Sequence, residues 1–294
     1  MNAPSPALTC TFFVRDYDLA ATLSSGQSFR WEKKDESWIG VVAGKWVKLD
    51  SGPGSITATV AEPVADWQWI IHYLQLEIGF EDIVRTFPAD APMQTALQAC
   101  RGLRLLRQDP WECLASFILS STKQIVQIQQ IITLLTERFG SPLPVRAPYP
   151  PAFSFPSAER LTRCTEAELR ACKMGFRAPY LLETARTIAA SQFELQRIGA
   201  LSLEDARARL TGLPGVGRKI ADCVLLFAYG FPTAFPVDVW VMKALKQLYF
   251  PRSRKMNLKR LHSFSAEHFG CHSGYAQQYL FHYMRTKHKN AKRS

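Results

Sequence analysis

The segment LPGVGRKIADCVLLFAYGFPTAFPVDVW, residues 213–240, decides how the rest of the chain is read. It opens with Leu213-Pro214-Gly215-Val216-Gly217-Arg218-Lys219, in which two closely spaced glycines stand between two helical stretches. That spacing permits a tight hairpin with positive φ and close backbone approach. The next helix is expected to start at about Arg218, so its free N–H groups turn into the hairpin, where they suit a phosphate. Gly215, Val216 and Gly217 are therefore candidates for sequence-independent contact with a nucleic-acid backbone. An ordinary tight turn would use the same residues.

Lys219 falls on the first turn of that helix, where the helix dipole opposes a cation. Two readings account for it. Burial and the dipole lower the amine's pKa and make it a nucleophile, or the side chain is exposed and contacts phosphate. Asp238 stands just past Pro236, where an amphipathic helix begins on Val239, Met242, Leu245 and Leu248; a lone Asp there is most often an N-cap. One helix and a turn separate Lys219 from Asp238, so antiparallel packing would bring both to a shared cleft. An amine that attacks an anomeric carbon and a carboxylate that stabilises the cation-like sugar are the pair needed to displace a base from a sugar.

The composition fits such a partner. The chain has 294 residues, which at about 150 residues per domain means two domains or one large one. Hydrophobic residues are 47% and charged residues 21%, which excludes a largely disordered chain. Lys and Arg number 36 against 25 acidic residues, a net charge of +11 that favours polyanions, nucleic acid first; membrane surfaces and ribosomes fit the charge as well. Seven cysteines, at 10, 100, 113, 164, 172, 223 and 271, are scattered without a Cys-x-x-Cys pair. That spacing writes no zinc site, iron–sulfur cluster or disulfide framework, and reduced intracellular thiols are expected. No signal peptide is read in Met1–Thr11. The longest apolar stretch, Cys223 to Phe231, is far short of the ~20 residues that span a bilayer.

Texture divides the chain. Residues 8–75 read as strands. Trp38–Val42 and Lys45–Leu49 flank a hairpin connection at Ala43-Gly44, Ser51–Gly54 is a turn cluster, and Ile56–Val60 alternates. From about residue 90 the period is helical: Ile125, Ile128, Ile131, Ile132, Leu135 and Phe139 share a face, and Gly140 ends it. A proline-rich loop, Ser141–Ser157, follows. Thr165 with Glu168 is a capping box, and Ser202-Leu203-Glu204-Asp205 opens a further helix. The basic tail Lys287–Arg293 is a solvated end or an extra phosphate contact. The expected fold class is α+β: an N-terminal antiparallel β-sheet domain (1–105) and a mostly α-helical domain with a helix-hairpin-helix (106–294).

Residues 213–240 resemble the helix-hairpin-helix DNA glycosylases with a Gly/Pro-rich segment followed by Asp, and three further motifs are similar to their 8-oxoguanine DNA glycosylase branch. These are Ser25-Gly26-Gln27-Ser28-Phe29-Arg30-Trp31, which resembles that family's N-terminal strand signature, Asp109-Pro110-Trp111-Glu112-Cys113-Leu114, and Ala276-Gln277-Gln278-Tyr279-Leu280-Phe281. The order holds over residues 10–285. The resemblance implies a base-excision enzyme that removes 8-oxoguanine from duplex DNA and then cleaves the abasic strand as a lyase.

By the same resemblance, Lys219 is the nucleophile that forms a Schiff base with the sugar, and Asp238 is the catalytic carboxylate. The Gly26 carbonyl accepts the N7 hydrogen of 8-oxoguanine, which guanine lacks. Cys223 and Phe281 sandwich the flipped base, and Gln277 reads its Watson–Crick edge. Phe176 is a wedge, and Arg177 contacts the orphaned cytosine. Read without the resemblance, Phe281 and Cys223 would be core residues, Gln277 a helix-surface residue, Gly26 a turn glycine and Arg177 a phosphate ligand. No metal or organic cofactor is implied, though family members often hold a monovalent cation at the hairpin carbonyls. The expected partner is double-stranded DNA containing oxidised guanine, bound by a monomer without a membrane. The protein would be intracellular and DNA-associated, in cytoplasm or nucleoid in a bacterium and in the nucleus in a eukaryote.

Three positions depart from the family pattern. Thr122 stands where an Asn fills the hole left by the flipped base. Gln127 replaces an Arg that reads the opposite cytosine, and Trp240 replaces a His after the catalytic Asp. With Arg177 alone left of the cytosine-reading set, these departures predict a weaker preference for cytosine opposite the lesion than in the typical family member. The alternatives are a monofunctional alkylated-base glycosylase, against which Lys219 argues, and a non-catalytic helix-hairpin-helix DNA-binding module, against which the Lys219–Asp238 pair argues.

Overall fold

The computed structural model describes residues 5–252 and 257–290. Lys292 and Arg293 of the basic tail lie outside the described residues, as do Met1–Pro4 of the segment read for a leader.

Five strands form one antiparallel sheet: β1 (Ala7–Phe13), β2 (Glu32–Lys34), β3 (Ser37–Val42), β4 (Lys45–Gly52) and β5 (Ser55–Val64), in the order β1-β5-β4-β3-β2. The expected hairpin at Ala43-Gly44 is present. Their φ values of 49° and 70° suit the tight turn whose twist matches paired strands, and Val42 faces Lys45. Trp38, Gly40 and Val42 are buried on one face of β3, as a period of two requires.

Residues 8–75 are not all strand. Leu19–Ser24 and Gln68–Leu74 are helices. Each is too short for a 3.6-residue period to register, although Asp18 caps the first by accepting the Ala21 N–H at 2.8 Å. Ser25–Trp31, read as a strand signature, is a loop. The Gln27 side chain holds it, donating to the carbonyls of Thr22 (3.0 Å) and Arg104 (2.7 Å) and accepting the Leu106 N–H (2.8 Å). With its side chain spent on backbone groups from both flanks, this segment satisfies its neighbours without a sheet partner.

The rest is mainly helical. Asp109 caps Pro110–Ser120 through the Glu112 N–H at 2.8 Å. Ile125–Phe139 follows and ends at Gly140. Within the proline-rich loop, Pro142–Leu143 pairs with Ala152–Phe153. The Thr165/Glu168 capping box and the Ser202 cap both form. The later helices are Ala178–Ala189, Leu203–Thr211, Arg218–Val224, Val239–Leu248, Leu258–His268 and Ser273–Asn290.

Two apolar clusters result. One lies between the sheet and Gln68–Leu74, around Val47, Leu49, Ile56 and Ile70. The other fills the helical part, and Ala21, Phe29 and Phe80 join it from the N-terminal side. In the Val239–Leu248 helix the buried face is Val241, Ala244 and Leu245, whereas Val239, expected on the apolar stripe, is 77% exposed. It follows the cap directly, on the first turn, where nothing packs over it.

Candidate active site

The hairpin sets the position of Lys219. Leu203–Thr211 and Arg218–Val224 pack against each other with Arg207 and Asp222 paired between them, Nε to Oδ1 at 2.7 Å. Both side chains are buried, and Arg218 adds a longer contact to Asp222 at 3.7 Å. At the tip, Gly215 has φ +74°, and a Cβ there would lie 2.8 Å from that of Tyr180. Backbone conformation and close approach both require glycine. Val216 is buried beneath the turn, while Gly215 and Gly217 are exposed. The amides that open the Arg218–Val224 helix therefore face solvent.

Lys219 turns inward from this first turn. Its Nζ donates to Ser120 Oγ at 3.4 Å and lies 5.1 Å from the centre of the Phe117 ring. Ser120 ends the Pro110–Ser120 helix. The amine thus leaves the positive end of its own dipole and meets the negative end of another, each effect being worth about 0.3–1 kcal/mol. An aromatic face adds to this. Phe117 in turn meets Phe29 edge-on at 5.4 Å, which joins the Ser25–Trp31 loop to the amine. Neither Ser120 nor Phe117 stood out in the sequence, because their roles arise from a helix end more than ninety residues before Lys219.

Asp238 caps Val239–Leu248, its Oδ1 accepting the N–H of Trp240 at 3.0 Å and of Val241 at 2.8 Å. Burial pushes its pKa up, and those amides and the Lys219 charge oppose the rise. The field of Lys219 reaches Asp238, and both reach Cys223. Burial keeps the Cys223 thiol neutral by pushing its pKa up to about 12. Lys219 and Cys223 are four residues apart on one helix face. The sequence pair is therefore brought together, with a neutral sulfur beside it.

A second group of residues gathers on Ser273–Asn290, which packs beside Val239–Leu248, with Trp240 edge-on to His288 at 5.2 Å. Gln277 is buried, and its Oε1 has no hydrogen-bond partner among the described residues. Phe281 is 8% exposed. Gly26, at φ +81°, faces it: a Cβ on Gly26 would meet Ile125 Cδ1 at 2.7 Å, Phe281 Cε1 at 3.5 Å and Arg285 Nη1 at 3.6 Å. The Ser24 and Ser25 carbonyls tie this loop to the helix, accepting from Arg285 at 3.0 Å and Gln278 at 3.1 Å.

The third group is at the surface. Phe176 is 55% exposed and stacks on the Arg177 guanidinium, 4.2 Å from the ring centre. Arg177 itself is 2% exposed and donates to the Ser121 carbonyl and the Thr122 hydroxyl. Thr122 is exposed at φ +57°. The three residues read as wedge and opposite-base contacts therefore form one cluster. Gln127 is engaged locally, its Oε1 accepting the Gln124 N–H at 3.0 Å in a reciprocal capping box.

Two family profiles cover most of the chain. Residues 11–114 match the 8-oxoguanine DNA glycosylase N-terminal domain, and residues 115–265 match the HhH-GPD superfamily of base excision DNA repair proteins. The chain belongs to this superfamily of base-excision repair proteins. Among its relatives, the chain is similar to a probable N-glycosylase/DNA lyase of Methanothermobacter thermautotrophicus, 31% identical over 92% of this chain and 95% of that one. It is also similar to an N-glycosylase/DNA lyase of Arabidopsis thaliana, 31% identical over 90% and 76%. The fold is similar to that of a Clostridium acetobutylicum 8-oxoguanine glycosylase/lyase solved with double-stranded DNA bearing cytosine opposite 8-oxoG. That likeness has a TM-score of 0.87 and 29% identity over 95% of this chain and 98% of the other. As a superfamily member, this protein has the expected α+β class, with the antiparallel sheet first and the helix-hairpin-helix in the helical part. Among the described residues, no helix is long and apolar enough to cross a membrane, and no cluster of three or more His, Cys, Asp or Glu forms a metal site.

Proposed function

We propose that this protein excises 8-oxoguanine from duplex DNA and cleaves the resulting abasic strand, with Lys219 as nucleophile. The observation that supports the proposal is that Lys219, on the first turn of the hairpin helix and turned in toward Ser120, lies within the field of the buried cap Asp238, with Cys223 one turn further along. The exposed hairpin amides hold a backbone phosphate, and Phe176 and Thr122 occupy the gap as the damaged base leaves the stack. The base enters between Cys223 and Phe281. The Gly26 carbonyl accepts its N7–H, and Gln277, whose buried Oε1 has no partner among the described residues, takes its Watson–Crick edge.

Chemistry follows from the two charged groups. The ionised Asp238 stabilises positive charge on the sugar as the C1′–N9 bond weakens. Lys219 Nζ, its ammonium proton given up to water, forms the bond to C1′ and the base departs with the bonding pair. The nitrogen loses a proton and the C1′–O4′ bond then opens, O4′ taking a proton from water, to give the Schiff base, whose electron-withdrawing iminium acidifies C2′–H; loss of that proton to water expels the 3′ phosphate. The reaction needs no metal or organic cofactor. A monovalent cation at the hairpin would draw on the remaining lone pairs of its carbonyls, of which Leu213 and Pro214 already accept from Val216 N–H and Thr184 Oγ1 at 3.1 and 3.2 Å. The protein acts as a monomer on DNA, in whichever compartment holds the genome.

Borohydride reduction on an 8-oxoguanine duplex tests the reading. The wild type is expected to give a covalent protein–DNA adduct and Lys219→Gln none. An adduct that persists in Lys219→Gln, or a wild type that leaves the lesion intact, refutes it.

A further inference from the structure

Arg285 has a position that the residues named above leave unexplained. It follows Phe281 by four residues on Ser273–Asn290, and Phe281 follows Gln277 by four. The three side chains therefore lie in one row. Eight residues rise about 12 Å, enough to place Gln277 and Arg285 beyond opposite ends of a purine lying on the Phe281 ring. Arg285 is at the Gly26 end: its Nη1 lies 3.6 Å from where a Gly26 Cβ would stand and donates to the Ser24 carbonyl at 3.0 Å. The guanidinium is half-buried, and among the described residues it has no carboxylate partner and no second hydrogen bond. A guanidinium has five N–H donors in a fixed fork, so the donors not spent on Ser24 are open to an acceptor on a ligand.

We infer that Arg285 is a specificity residue for the C8 oxygen of the flipped base. The inference rests on the proposed base pocket. With the Watson–Crick edge at Gln277, the opposite edge, bearing N7–H and the C8 oxygen, points to Gly26 and Arg285. Guanine presents a C–H in place of that oxygen, and its one acceptor on this edge, N7, falls at the Gly26 carbonyl, where two acceptors meet. The contact strengthens during the reaction. As Lys219 Nζ bonds to C1′ and the C1′–N9 bond breaks, the bonding pair passes to N9 and is shared with the C8 oxygen through the N9–C8 amide. The proton shed by the lysine nitrogen later neutralises that anion. A donor fixed at the oxygen favours the separated state over the ground state.

An abasic-site duplex supplies the internal control, because it uses Lys219 and Asp238 but has no base. Single-turnover excision of 8-oxoguanine by Arg285→Leu is expected to fall about a hundredfold, as for loss of one oxyanion donor. Abasic-strand incision and affinity for abasic DNA should stay within about twofold, and Arg285→Lys should recover part of the loss through its remaining charge. Should Arg285→Leu fail to fold, Arg285→Gln serves in its place, with thermal melting as the check. Unchanged excision overturns the inference. So does an equal loss on both substrates, which would make Arg285 a backbone-phosphate or packing residue. A wild type that processes neither duplex fails the proposed function instead, so the two failures are distinguishable.

Discussion

Oδ1 of Asp238 accepts the Val241 amide at 2.8 Å, so the carboxylate that feels the Lys219 charge is also the cap of the helix behind it. The two roles separate by substitution. Asp238→Asn keeps a side-chain oxygen for the cap and should melt within about 0.5 kcal/mol of wild type, whereas Asp238→Ala loses about 1 kcal/mol. Both should bind lesion DNA and lose most of the excision rate. Denaturant titration with single-turnover kinetics checks this, and undiminished turnover in Asp238→Asn removes the residue from the chemistry.

The pH dependence has a definite sign. Burial holds the Asp238 pKa above the ordinary 3.8. Between those two values the folded protein keeps a proton that the unfolded chain has released, so this group's contribution to stability falls as pH rises through the window. Activity moves the other way, since the carboxylate must be ionised. The acidic limb of the pH–rate profile should therefore lie above pH 3.8 and change in Asp238→Asn.

Gly26→Ala should be selective. A Cβ would stand 2.7 Å from Ile125 Cδ1 at a backbone φ of +81°, a conformation costing a non-glycine residue about 1–3 kcal/mol. Excision of 8-oxoguanine should drop sharply while abasic-strand incision persists. Equal loss of both would mean that the loop serves folding rather than the base.

Opposite-base preference should be weak. Gln127 is committed to the Gln124 amide, and Arg177 points inward to Ser121 and Thr122. A lost bidentate reading of the orphaned base removes about 1–3 kcal/mol of discrimination. Excision rates on duplexes with C, A, G or T opposite the lesion should fall within about tenfold of one another. A large preference for C contradicts this.

Removing one partner of the Arg207–Asp222 pair leaves a buried charge uncompensated. Arg207→Ala should cost about 3–5 kcal/mol, whereas the apolar double variant Arg207→Met with Asp222→Leu should recover most of it. Thermal melting measures both, and a mild effect of Arg207→Ala would show that Arg218 suffices for Asp222.

Much of the site was legible because its residues sit on strong local signals. The glycines at 215 and 217 mark the hairpin, Pro236 marks the start before Asp238, and the Ala43-Gly44 turn marks the sheet. What the sequence did not reveal depends on distance along the chain. Ser120 and Phe117 meet Lys219 only after packing. The loop at Ser25–Trp31 looked like a strand because its stabilising bonds run from one side chain, Gln27, to backbone groups as far away as Leu106. The exposure of Val239 was equally hidden, since periodicity reports a face but not whether anything covers its first turn.

The same Gln27 has a mechanical consequence. Its carbonyl accepts from Gln108 Nε2 at 2.6 Å, and the Gln108 amide donates to the Phe227 carbonyl at 2.8 Å. Phe227 lies one turn beyond Cys223. The Ser25–Trp31 loop is thereby tied, through Gln108, to the chain just beyond the helix that carries Cys223. Swinging that loop away from the helix therefore requires both bonds to break, so the two move as a unit while they hold.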